Sequence, residues 1–196
     1  MAIDARRDAL VVVDVQNDFC PGGSLAVPEG DRVVPVLNRY IGRFAEAGAP
    51  IFVSRDWHPA KTKHFQAYGG VWPPHCVQGT AGAAFHARLG LPREALVVSK
   101  GMDPEQDAYS AFQAEDERGT PFTSALETRG VRRLFVGGLA TDYCVKATVL
   151  DARRQGLDVV VLADAVRAVD VKPGDGERAM EEMRAAGAQV ATLGEI

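Results

Sequence analysis

The alternation of short apolar runs with helical patterns constrains the fold of this chain most tightly. Ala9–Val15 (ALVVVDV) is a continuous β-branched stretch, the composition expected of a strand buried on both faces. Val33, Val34, Leu37, Ile41 and Phe44 follow at helical spacing, with Asp31 placed to cap that helix and Gly48 to end it. Strand-length runs recur at Pro50–Ser54, Ala95–Ser99, Arg133–Gly137, Leu157–Ala163 and Gln189–Leu193. Helical patterns fill Phe122–Arg129, Asp142–Gln155 and Asp175–Ala186. This order predicts an α/β fold: a doubly wound, mainly parallel six-stranded sheet with helices on both faces. At 196 residues the chain reads as a single domain, 1–196, with a core that needs no disulfide or structural metal.

One segment breaks the rhythm. Residues 56–91 carry no periodic element but hold several prolines and glycines, both tryptophans and all four histidines. A connection that long inside a compact domain points to function, and its aromatic content argues for order. The 22 basic and 26 acidic residues are dispersed, giving a net charge of -4 with no basic cluster, so nucleic acid and anionic membranes are not expected partners. No apolar run reaches membrane-spanning length. Three cysteines fit no zinc spacing, and reduced thiols in a cytoplasmic protein are the expectation.

In sheets of this kind, ligands bind beyond the carboxyl ends of the strands. Asp14 ends the first strand, Lys100 follows the third, and Cys144 lies in the first turn after the fourth. Singly, Asp14 could cap a loop, Lys100 could be solvated and Cys144 could be a small apolar residue. Together they fit a base, an orienting cation and a nucleophile. The positive end of a helix is expected to lower the Cys144 pKa, and turn N–H groups would suit an oxyanion. Asp56 and His58, two residues apart on extended backbone, point the same way, and His64 and His75 follow. This donor set suits zinc, iron or manganese. Loop histidines are also ordinary surface residues, the reading that fits His86 better. Phe19, Trp72 and Tyr109 lie in loops near strand ends, either as core packing or as a ring-binding pocket.

The motifs DVQNDFCPGGSLAVPEGD (14–31), SRDWHP (54–59), GGVWPPHCVQGTAGAAF (69–85), SKG (99–101), YSAF (109–112) and GLATDYCVKATVLDA (138–152) together resemble the nicotinamidase/pyrazinamidase family of the isochorismatase-like hydrolases. The resemblance runs in order over nearly the whole chain. It implies Cys144 as nucleophile, Asp14 as base and Lys100 as third catalytic member. It implies Asp56, His58 and His75 as ligands of one divalent metal, zinc before iron or manganese, with His64 a ligand in only some members. Phe19 and Trp72 stand where the family sandwiches a pyridine ring, and Tyr109 stands near that pocket. Leu139–Ala140 matches a cis peptide, with the Ala140 and Cys144 N–H groups as oxyanion donors. The implied reaction is nicotinamide hydrolysis to nicotinate and ammonia in NAD salvage, with pyrazinamide as a second substrate and a homo-oligomer plausible. The alternatives are a related amidase acting on a carbamoyl compound and a catalytically silent metal- or pyridine-binding protein. A dinucleotide-binding reading has no support, since no GxGxxG follows the first strand.

Overall fold

Strand β1 (Asp8–Val13) is buried at every position, as its unbroken apolar run requires of a central parallel strand. A computed structural model describes residues 1–196. Helix α1 (Val33–Glu46) leads to β2 (Ile51–Asp56), and β3 (Leu96–Lys100) follows the long loop. Then come α2 (Phe122–Thr128), β4 (Arg133–Leu139), α3 (Lys146–Arg154), β5 (Asp158–Arg167), α4 (Asp175–Ala185) and β6 (Gln189–Ala191). The strands form one sheet in the order β3-β2-β1-β4-β5-β6, with every neighbouring pair parallel. The order reverses between β1 and β4, a topological switch point where such sheets bind ligands.

Strand residues alternate between two cores. Leu10, Val12, Phe135 and Leu162 pack with Leu37, Tyr40, Ile41 and Phe44 of α1. Val11, Val13, Leu134 and Val136 pack on the opposite face with Phe122, Val149 and Met183 of α2, α3 and α4. Phe44 meets Phe135 edge-on at 5.1 Å, and Phe52 meets Phe122 in the same manner at 5.2 Å. No helix is long and apolar enough to cross a membrane.

Two local features differ from the sequence pattern. Asp31 caps nothing: it lies inside a 3-10 turn, Gly30–Arg32, that runs straight into α1. The first N–H groups are already taken there by carbonyls of Glu29, Gly30 and Asp31. The helix expected from Asp142 begins at Lys146, because Thr141–Val145 forms a wider π-helical turn. Asp164 lies within β5, which continues past it to Arg167. Its carboxylate accepts the Tyr40 hydroxyl at 2.8 Å and the Leu193 N–H at 3.0 Å.

The long loop contains only a 3-10 turn at Gln66–Tyr68 but is pinned by backbone bonds. Trp57 N–H donates to the Lys100 carbonyl, His58 N–H to Cys76 and Gln78 N–H to His58.

Candidate active site

Four adjacent strands deliver the reactive side chains to one place. Asp14 follows β1, Asp56 ends β2, Lys100 ends β3 and Cys144 lies in the π-helical turn after β4. Asp14 adopts φ 49°, a left-handed conformation that aspartate tolerates better than most residues. Gly138 (φ 126°) permits the close approach of β4 to β1, since a Cβ there would sit 2.1 Å from the Val13 carbonyl oxygen. Gln16, fully buried, holds the end of β2 like a further strand. Its side-chain amide donates to the Asp56 and Ala83 carbonyls at 2.8 and 2.9 Å, and its oxygen accepts the Asp56 N–H at 2.8 Å.

The Lys100 ammonium is fully buried between two carboxylates. It faces Asp14 Oδ2 at 2.8 Å, contacts Asp56 Oδ1 and lies 3.5 Å from Cys144 Sγ. The Ser54 hydroxyl donates to Asp14 Oδ1 at 2.7 Å. One donor atom each from Asp14, Asp56 and Cys144 falls within 4.8 Å of the others. Burial raises the Asp14 pKa against the opposing pull of Lys100, and the Asp56 charge adds to the rise. Burial acts on Asp56 in the same direction, but Lys100, His58 and His75 outweigh it and hold Asp56 well below the usual carboxylate range. The two carboxylates are thus driven apart: Asp56 stays ionised, and Asp14 is the one able to take up and return a proton. Lys100 is held charged, because Asp14 and Asp56 together overcome its burial. The expected lowering of the Cys144 pKa is reversed. Burial pushes the thiol well above its ordinary value, Lys100 pulls it down, and Asp14 and Asp56 push it up again. Burial is the largest influence on the thiol, and thiolate formation depends on Lys100 and on a nearby proton acceptor.

His58, His64 and His75 form an adjoining cluster, each buried and each offering a nitrogen within 4.8 Å of the others. Every Nδ1 is engaged: with the Gly101 carbonyl at 3.1 Å for His58, the Pro73 carbonyl at 2.8 Å for His75 and Asp107 Oδ1 at 2.5 Å for His64. With Nδ1–H donating, each Nε2 keeps a free lone pair. The buried His58 Nε2 has no hydrogen-bond partner. Asp56 Oδ2 lies 3.6 Å from His58 Nε2 and 3.8 Å from His75 Nε2. Three convergent lone pairs, an ionised carboxylate and an oxygen acceptor behind every imidazole fit a divalent metal ion. Burial also lowers the His64 pKa, favouring the neutral ring a metal requires. His86 lies apart, its Nδ1 accepting the Arg88 N–H at 3.2 Å.

Gly101 makes the His58 position possible. Its φ is 71°, and a Cβ there would lie 2.5 Å from the His58 ring. Gly101→Ala is therefore expected to displace His58 and weaken metal binding roughly ten- to a hundredfold, the usual cost of disturbing a ligand's support. Titration of apo-protein with Zn2+ measures it; unchanged affinity would mean that His58 is not a ligand.

A pocket connects the two clusters. Phe19, Trp72, Tyr109 and Ala140 line it beside Asp56, His64, His75 and Cys144. Phe19 packs against His75 at 5.5 Å, and Trp72 Nε1 donates to the Tyr109 hydroxyl at 2.9 Å. Leu139 is buried beneath, and the Leu139–Ala140 peptide is cis. Tyr143, outside the candidate residues, also lines the pocket and meets Trp72 edge-on at 5.1 Å. Its position beside Cys144 was the available signal. Leu25, Val27 and Val169 complete the apolar wall; the first two lie within the 14–31 motif, whereas Val169 falls outside every motif.

Comparison with known proteins places this arrangement among amidases. The family model described as Isochorismatase domain matches residues 8–195. The nicotinamidase of Escherichia coli K12 is 44% identical over 201 residues, covering 94% of each chain. The pyrazinamidase of Pyrococcus horikoshii, solved in complex with zinc, superposes with a TM-score of 0.88 at 46% identity, covering 95% of this chain and 99% of that one. PnC1 from L. infantum, solved in complex with nicotinate, gives a TM-score of 0.88 at 35% identity, covering 99% and 96%.

Proposed function

Because this chain belongs to the isochorismatase family, we propose that it works as a nicotinamidase, hydrolysing nicotinamide to nicotinate and ammonia through a thioester on Cys144. The observation that carries this reading is the single pocket lined together by Cys144, Asp56, His64, His75 and several aromatic rings. A plain amide hydrolase needs the nucleophile and its acid–base partner; the histidine cluster and aromatic walls add recognition of a flat ring bearing a basic nitrogen. The nicotinamidase and pyrazinamidase relatives favour that substrate class, with pyrazinamide as a second substrate and NAD salvage as the setting.

Asp56, His58, His64 and His75 would hold a divalent cation, which when bound supplies a Lewis-acid anchor for the heterocyclic nitrogen. Zinc is the identity we favour, given the zinc complex of the Pyrococcus relative. The remaining roles fall to side chains of this chain. Phe19, Trp72 and Tyr109 orient the ring so that the carboxamide carbon lies over Cys144 Sγ. Asp14 accepts the thiol proton as Sγ attacks, and Lys100, 3.5 Å from Sγ, favours the developing thiolate. Backbone N–H groups of Ala140 and Cys144 receive the oxyanion. Asp14 gives its proton to the departing nitrogen and ammonia leaves. Asp14 then deprotonates the water that cleaves the thioester, and nicotinate and the free thiol result.

Incubation with nicotinamide, with ammonia and nicotinate quantified before and after chelation and metal add-back, tests this reading. Equal release of both products, lost on chelation and restored by Zn2+, is expected. Release that survives demonstrated metal removal would overturn the anchoring role. No release with any metal would overturn the nicotinamidase reading.

A further inference from the structure

We propose that Asp107 is a positioning residue for the metal site: its carboxylate orients His64 and thereby sets how tightly the chain holds a divalent cation. This rests on the metal-site reading above and concerns a residue outside its ligand set. Of the three imidazoles, His58 and His75 are fixed through Nδ1 by backbone carbonyls of Gly101 and Pro73. His64 alone is fixed by a side chain, at 2.5 Å, and that side chain lies 43 residues further along the chain. The His64 ring lies nearly parallel to that of His58, at 4.5 Å and 15°, a stacking contact that does not by itself select which ring nitrogen faces the cluster. The bond to Asp107 makes that selection. It keeps the ring proton on Nδ1 and so leaves the Nε2 lone pair available on the side facing the other histidines. A carboxylate acceptor also makes the imidazole a stronger donor to a metal than a carbonyl does.

Asp107 is well suited to experiment. Its side chain is 59% exposed although the ring it holds is buried, so its removal opens no core. Its backbone is held independently, with Gln113 Nε2 donating to the Asp107 carbonyl at 3.2 Å.

The test is competition for Zn2+ between a chromogenic chelator and the whole protein, without substrate. Wild type, Asp107→Ala, Asp107→Asn, His64→Ala and the double Asp107→Ala/His64→Ala variant are compared. Asp107→Ala is expected to weaken Zn2+ binding roughly ten- to a hundredfold. Asp107→Asn, whose amide oxygen still accepts the Nδ1–H, should recover most of that loss. In the His64→Ala background, Asp107→Ala should cost nothing more, since its effect passes through the imidazole. The melting temperature of the apo-protein should not change with Asp107→Ala. Affinity within twofold of wild type in Asp107→Ala, or an undiminished loss in the absence of His64, would overturn the proposal while leaving the metal site standing. Failure of the wild-type chain to bind Zn2+ would overturn both.

Discussion

Cys144→Ala is expected to reduce nicotinamide turnover by roughly 10^4- to 10^6-fold, the range seen when a covalent nucleophile is removed from a coupled catalytic set. In the proposed mechanism the bond to the carboxamide carbon is made by Sγ alone, and no other thiol is placed to make it: Cys20 and Cys76 are buried and lie outside the pocket lining. Asp14→Asn should reduce turnover by a comparable factor, because its amide cannot accept the thiol proton. The double variant should be hardly worse than either single one, since both break the same step. Zinc content should be unchanged in Cys144→Ala, because the metal is assigned to Asp56 and the three histidines and not to Sγ. Single-turnover rates and metal analysis on the same preparations decide this; a variant retaining a tenth of wild-type turnover would exclude covalent catalysis by Cys144.

Lys100→Ala is expected to destabilise the fold as well as inactivate it. Removing the ammonium leaves Asp14 and Asp56 facing each other without their shared cation, at positions 0% and 3% exposed. Breaking one side of a buried ion pair typically costs about 3–5 kcal/mol. The penalty should depend on pH in a definite direction. Asp14 already has a raised pKa from burial, and loss of Lys100 removes the main opposing pull, so the folded variant binds a proton more tightly than the unfolded chain. Stability then falls as pH rises from the unfolded carboxylate range through the raised folded value, and stays low above it. Denaturant melts of the apo-protein at about pH 5 and pH 8 should therefore show Lys100→Ala closer to wild type at the lower pH. An equal deficit at both would mean that the cost comes from lost packing and not from uncompensated charge.

The sheet was legible because parallel strands buried on both faces write themselves as continuous apolar runs, of which Ala9–Val15 is the clearest. Their ends were less legible, and for a reason tied to function. The apolar pattern ends β2 at Ser54 and β3 at Ser99, whereas the backbone pairing continues to Asp56 and Lys100. Asp56 and Lys100, polar residues that interrupt the apolar pattern, are the ones the strands carry to the buried charge cluster. Candidate site residues could be gathered from motifs, and the structure brings Asp14, Lys100 and Cys144 together with the histidines. Supporting residues could not. Gln16 is a buried amide whose value lies in three bonds to residues 40 and 67 positions away. Asp107 looks like one more acid in a polar stretch until the fold sets it behind His64. Nor could the reactivity of Cys144 be read from its place at the start of a helix, because the depth of burial, a tertiary property, decides the direction of the shift.

Hydroxylamine partitioning during nicotinamide turnover tests the covalent pathway most directly. A thioester on Cys144 exposes an acyl group that hydroxylamine intercepts in competition with water. Nicotinohydroxamate should then appear alongside nicotinate, its share rising with hydroxylamine, while ammonia continues to equal the sum of the two products. Both acyl products should vanish together in Cys144→Ala. Ammonia and nicotinate formed with no hydroxamate at any hydroxylamine concentration would contradict the pathway, because the acyl group would then have passed directly to water.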